Sequence, residues 1–445
     1  MRVVVVGGGF GGLASAARLA KLGHDVTLLE AAGSLGGALG AVRLDDYTWD
    51  AGVHHTLLPA VTRDLFRKSG RPLERELELE PLEFLAEHRF ADGSRVRLPG
   101  GSRAAQLQAV DAGLGEGLGR QWVDHVAAYA RPWELLRRDY LERPWDAALA
   151  PKELTDLLTS RETLARRVRK SLRDPRLRLI ATHHVTSRGH EARDVPAWVG
   201  VHSYVGQNFG GWRVPGGMHQ LAGALEARMR TRKVAVELDT PALDVVVRDG
   251  RAVGVATAAG TVDADAVVVA VDPRRIPALA EHVRRTQPAI PPVVTHVALD
   301  GADELPDLGP EGHEVVLHPD ARHQGPTLVV RTGGTAPEGH AAWTVHARGR
   351  IAEDLLVALA RHGIDLRPHL VDRIDRTPRD LVEQWGGSPE GVLWQGRATL
   401  TRRLGPTTPV PGVYLAGAHA TPGAELPFVG LSAALVATTI GSARG

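Results

Sequence analysis

Hydrophobic and polar positions change period within the first thirty residues. Val3 to Val6 form an unbroken β-branched run, the pattern of a strand buried on both faces, and a glycine cluster ends it at Gly7. From Gly11 onward Leu13, Ala16, Ala17, Leu19, Ala20 and Leu22 recur at helical spacing until Gly23, and a second strand is predicted over Asp25 to Leu29. The order predicts a βαβ unit. Farther along, two strands are predicted to turn at Asp249-Gly250, followed by a buried strand from Ala266 to Val271. A short apolar strand from Val413 to Ala416 precedes a small-residue helix that begins at Leu426. Between these signals, residues 73–206 and 274–391 read as rich in helical patterns and tryptophan, without a recognisable catalytic motif.

Composition narrows the chemistry. The chain has 445 residues, enough for two interleaved cores, and 53 Lys+Arg against 52 Asp+Glu. That balance gives no global field for nucleic acid. The absence of cysteine excludes disulfides, thiolate nucleophiles and thiolate metal sites, so redox chemistry must come from a cofactor. No apolar run reaches the roughly 18 residues of a spanning helix, and Met1 leads straight into the first strand without a basic leader; the chain is read as cytoplasmic.

Gly7, Gly9 and Gly12 match the pattern G-x-G-x-x-G between strand and helix. The first glycine permits a tight turn, the second lets a pyrophosphate approach the backbone, and the third lets helix and strand pack closely, with Phe10 and Gly11 opening the helix. Glu30 ends the second strand 18 residues after Gly12, near the roughly 20 expected for the acid that binds ribose hydroxyls. The fingerprint alone does not separate NAD from FAD.

The following segment does. Gly36 and Gly37, then Tyr47, Thr48, Trp49, Asp50, Ala51 and Gly52, together with Gly210 to Met229 and the C-terminal stretch from Gly412, resemble the phytoene desaturase or carotenoid desaturase-like branch of the FAD-dependent amine oxidase superfamily. The resemblance implies an α/β fold with a Rossmann-like FAD-binding domain of the GR2 type (residues 1–72, 207–273 and 392–445) and an interleaved α+β substrate domain (residues 73–206 and 274–391). It implies FAD held by Gly7, Gly9, Phe10, Gly11, Gly12, Glu30, Ala31, Gly36, Gly37, Ala38, Val53, His54, Gly417, Ala418, Pro427, Phe428 and Val429. The positive end of the last helix would then stabilise the charge that develops on the reduced flavin. The implied reaction is hydride removal from a largely apolar small molecule to flavin N5.

Departures from the family's pattern bear on the substrate. Ala38 and Ala418 replace an arginine and an acid common in relatives, which disfavours an amine oxidase. His419 is shifted by two positions, and Glu425 stands where relatives have a small residue. His54, His419 and Glu425 are therefore the catalytic candidates, with a polar group expected on the substrate. Two alternatives stand beside the desaturase: a flavin amine oxidase acting on a small amine, and a non-catalytic lipid- or prenyl-binding module of the same fold, which the intact fingerprint disfavours. His183 and His184 are adjacent, so their side chains diverge, and no metal site is expected. Leu164 to Ile180 is a basic amphipathic stretch, read as a solvated helix face or a peripheral membrane contact.

Overall fold

The computed structural model describes residues 1–146, 148–319 and 325–443. Its nucleus is a five-stranded parallel sheet in the order Val413–Leu415, Ala266–Val269, Arg2–Val6, Asp25–Leu29, Ala235–Glu237. The valine run lies near its centre, paired on both sides. Its pleat sends Val3 and Val5 to one face, against the helices Phe10–Lys21, Gln220–Thr231 and Leu426–Ile440. Val4 and Val6 go to the other face, against Val245, Val255 and Leu279. There a three-stranded antiparallel sheet, Asp244–Arg248, Arg251–Thr257 and Gly260–Asp263, covers the parallel one. Asp249 and Gly250, both at positive φ, make its first turn.

A second, seven-stranded sheet runs Leu370–Arg376, Val293–Leu299, Ala341–Arg348, Thr327–Arg331, Glu314–Leu317, Phe84–Arg89, Arg95–Pro99, antiparallel except where Glu314–Leu317 meets Phe84–Arg89. Five of its strands come from residues 274–391, a stretch read from sequence as helical. Short apolar runs such as Val293 to Leu299 have no periodicity that separates strand from buried helix, and pairing with neighbours decides the outcome. One face of this sheet packs Leu328, Val330 and Val345 against the helix Leu355–Arg361. The other face turns inward toward a cavity.

Helices between Arg103 and Phe209 build a third core around Trp122, Tyr129, Trp133 and Leu158. The basic stretch from Leu164 is two helices rather than one, Leu164–Ser171 and Pro175–Thr186. Pro175 cannot continue a preceding helix, and the Asp174 side chain instead caps the second by accepting from the Arg176 N–H. Among the described residues no helix is long and apolar enough to cross a membrane.

Candidate functional site

The first strand meets its helix in a turn that permits almost no side chains. Gly7 has φ 100°, and a Cβ on Gly12 would lie 1.8 Å from the Gly7 carbonyl oxygen, so strand and helix touch directly. A Cβ on Gly11 would lie 2.7 Å from the Cα of Gly417, which brings the C-terminal segment onto the start of the same helix. Gly9 differs: a Cβ there would meet nothing nearer than the Gly36 carbonyl oxygen at 4.0 Å. Packing therefore does not demand this glycine, whereas a ligand lying on the backbone does. No side chain caps the helix Phe10–Lys21, which leaves its first-turn amides available for phosphate oxygens. Glu30 accepts from the Gly8 N–H at 2.5 Å and the Ala32 N–H at 2.8 Å, holding its carboxylate at the strand end. This cradle fits a dinucleotide.

The cradle opens into one cavity of about 1740 Å³. Gly7, Gly9, Phe10, Gly11, Glu30, Ala31, Gly37, Ala38, Val53 and His54 line it, as do Gly417, Ala418, His419, Glu425, Pro427 and Val429 from the C-terminal segment. Gly12, Gly36 and Phe428 do not. Gly12 is consumed by helix–strand contact, and Gly36 bridges to Gly9 while its N–H bonds the Gly8 carbonyl at 2.9 Å. Phe428 lines instead a small neighbouring compartment beside Trp198 and Trp394. Asp50 is structural: it accepts from the N–H groups of Met218 (3.0 Å) and His219 (2.8 Å), tying the Asp-Ala-Gly segment to the start of the helix Gln220–Thr231.

Beyond the cradle the lining divides. Leu57, Leu85, Leu98, Trp122 and Ile180 form an apolar arm. Facing them is a polar wall that single-residue inspection of the sequence did not reveal. Glu314 sits opposite Arg331 on neighbouring strands and accepts from its Nε at 2.8 Å, while His183 Nε2 lies 3.1 Å from the same carboxylate. Arg331 also reaches His346 at 3.0 Å. Burial pushes the Glu314 pKa up, but Arg331 and His183 outweigh it and hold the carboxyl well below its usual range.

The wall continues at Glu425, which precedes the helix Leu426–Ile440 with φ 88° and ψ 143°, a backbone region that side chains rarely adopt. Its carboxylate lies 3.4 Å from Arg188 Nη1 and 3.4 Å from His202 Nε2. Burial raises its pKa and the Arg188 and His202 charges overcome that, bringing it to about 2. Desolvation acts the opposite way on the imidazoles. It holds His54 and His184 well below the ordinary value and His55 at about 4, so these rings are neutral near pH 7. His419 is buried beside Arg274 (3.2 Å) and Asp272 (3.8 Å), and burial lowers it to about 4. Among the described residues no group of three His, Asp or Glu side chains is placed to hold a metal ion. His183 and His184 both reach the cavity, one bonding Glu314 and the other stacking on His202 with ring centroids 4.4 Å apart.

Comparison with known proteins agrees with this geometry. A family model described as flavin containing amine oxidoreductase matches residues 10–440. The hydroxyneurosporene desaturase of Cereibacter sphaeroides is 30% identical over 97% of this chain and 95% of its own length. That of Rubrivivax gelatinosus is 29% identical over 99% and 93%. An oxidoreductase structure from Methanosarcina mazei superposes with a TM-score of 0.65 at 16% identity, covering 97% of this chain and 99% of that one.

Proposed function

Because the chain belongs to the flavin-containing amine oxidoreductase family and is an FAD-dependent oxidoreductase of the desaturase-like type, we propose that it desaturates a long, largely apolar polyene of the carotenoid class. The observation that carries this reading is the continuity of one cavity from the glycine cradle to the apolar arm of Leu57, Leu85, Leu98, Trp122 and Ile180. When bound, FAD supplies the hydride acceptor. Residues 1–72, 207–273 and 392–445 serve it, and residues 73–206 and 274–391 hold the substrate.

In this reading Gly7, Gly9 and Gly11 admit the pyrophosphate and Glu30 takes the ribose hydroxyls. Val53, His54, Gly417, Ala418, Pro427 and Val429 surround the flavin. A hydride leaves one substrate carbon, a proton leaves its neighbour, and the electron pair left behind forms the new double bond. His54, neutral near pH 7, carries a nitrogen lone pair that can accept that proton, whereas the Nδ1 lone pair of His419 is taken by the Arg274 guanidinium at 3.2 Å. Glu425, paired with Arg188 and His202, supplies fixed negative charge. The apolar arm excludes water while charge develops. The exposed cations Arg166, Arg169 and Lys170 on the helix Leu164–Ser171 offer a contact for an anionic membrane surface from which such a substrate is drawn.

The test is a visible spectrum of the purified protein, mass spectrometry of the molecule released by heat, and anaerobic bleaching by candidate substrates. Released FAD, with bleaching by polyenes and not by amines, supports the proposal. Amine-dependent bleaching overturns the substrate class, and a colourless protein that FAD does not reconstitute overturns the enzymatic reading.

A further inference from the structure

The apolar arm ends against one side chain. Leu57, Leu98, Trp122 and Ile180 line the arm and belong at the same time to the core built by the helices between Arg103 and Phe209, with Leu85 packed against that core. Among the described residues from 99 to 179, Trp122 alone reaches the cavity. It meets the cavity with an edge only, being 1% exposed, and its helix, Leu118–Ala127, buries Val123 and Val126 in the same core. The indole is held by more than packing. Its Nε1 donates to Oε1 of Gln106 at 2.7 Å, and the same oxygen accepts from Nε2 of Gln207 at 2.8 Å. Gln106 Nε2 in turn donates to the Pro99 carbonyl at 2.7 Å. Both glutamines are buried, and they stand on two further helices, Arg103–Leu114 and Val201–Phe209. A leucine or phenylalanine would fill an apolar site without burying two amides. What the bonds add is resistance: with both lone pairs of Gln106 Oε1 in use, the ring cannot turn aside under a chain end without leaving buried groups unpaired.

We propose that Trp122 is the stop that fixes how deep the substrate chain enters, so that it sets the longest end segment the enzyme accepts and the position of the new double bond counted from that end, with Gln106 and Gln207 as positioning residues. The inference rests on the polyene reading and adds to it the residue that determines which bond of the chain reacts. Apolar contacts are non-directional, so a polyene in an apolar sleeve is held almost equally well at every register along its length. The chemistry does not choose between registers, because hydride and proton leave adjacent carbons whichever bond is presented. A rigid end wall removes the ambiguity. Carbons added short of the wall gain burial, and a chain that meets the wall places one bond at a fixed depth for transfer.

The test uses the FAD-loaded enzyme and linear isoprenoid polyenes lengthened one unit at a time. Dissociation constants come from anaerobic titration of the flavin absorbance, and the position of the new double bond from mass spectrometry and NMR of the single-turnover product. For wild type, affinity is expected to rise at least about tenfold per unit until the end segment reaches Trp122 and then to stop rising, with the double bond at one constant distance from the seated end. Trp122→Ala is expected to move both the break in affinity and the double bond one unit farther from that end. Trp122→Leu, which leaves a smaller void, moves them in the same direction and serves where the alanine variant does not fold. Gln106→Leu keeps the indole but frees it, and is expected to give neighbouring double-bond positions as a mixture. Affinity that rises without a break in wild type, a double bond whose distance from the chain end varies with length, or Trp122 variants that retain FAD and leave break and position unmoved would overturn the stop while leaving the polyene reading intact. If no polyene bleaches a protein that retains FAD, the polyene reading itself fails and the stop falls with it.

Discussion

Glu425 joins two unfavourable features, a buried charge and a strained backbone, to two stabilising partners, Arg188 and His202, and replacing it measures how the fold sustains them. Its carboxyl pKa falls from 4.5 to about 2 because Arg188 and His202 outweigh desolvation. At 1.36 kcal/mol per unit, that depression corresponds to about 3 kcal/mol of folding stability. A folded-state pKa below the unfolded one contributes fully above about pH 4.5 and is lost as the pH falls toward 2. Glu425→Gln should therefore unfold about 3 kcal/mol more readily than wild type at pH 7, within the range for breaking a buried ion pair. The gap should narrow to about 2 kcal/mol at pH 3.5. Backbone strain adds an ordering: at φ 88° and ψ 143°, Glu425→Gly escapes a cost of about 1–3 kcal/mol that Glu425→Ala retains. Urea unfolding followed by tryptophan fluorescence, at pH 7 and pH 3.5 and constant ionic strength, reads all three variants. A gap that is absent at pH 7, or identical at both pH values, would refute the ion-pair account; a glycine variant less stable than the alanine one would refute the strain.

Three further outcomes follow from named contacts. Glu30→Ala removes the carboxylate proposed to take the ribose hydroxyls, and since charged hydrogen bonds contribute about 1.5–3 kcal/mol, FAD affinity should fall about 10- to 100-fold by equilibrium titration of the apoprotein; unchanged affinity would remove Glu30 from the ribose site. Gly12→Ala drives a methyl to 1.8 Å from the Gly7 carbonyl oxygen, so the variant should purify without flavin and melt below the wild-type apoprotein. His296 is buried, and desolvation lowers its pKa from 6.5 to about 4, so the unfolded chain takes up the proton first as pH falls. Its contribution is full above pH 6.5 and declines by about 3 kcal/mol toward pH 4. His296→Phe should show a correspondingly shallower loss of melting temperature across that window.

What could be read from the sequence follows the range of the interactions involved. The βαβ unit is local: Val3 to Val6, the glycines and Glu30 lie within thirty residues, and each has a backbone reason to be there. The two valine faces, the Asp249-Gly250 turn and the helix from Leu426 are local in the same sense. The seven-stranded sheet is not, because its pairing joins residues 84–99 to residues 293–376, and short apolar runs do not announce their partners.

The polar wall lies farther still from what a single sequence declares. Arg188 lies just past the end of a helix, His202 lies in the first turn of another, Glu314, Arg331 and Arg348 lie on three strands, and Glu425 sits before the last helix. One signal was present, since Thr327, Val329 and Arg331, and likewise His346 and Arg348, alternate with buried apolar residues of the opposite face. In a sheet covered on both sides, charge at such positions has to meet charge. Glu314 meeting Arg331, and Glu425 meeting Arg188 and His202, is how distant pieces of chain settle that demand.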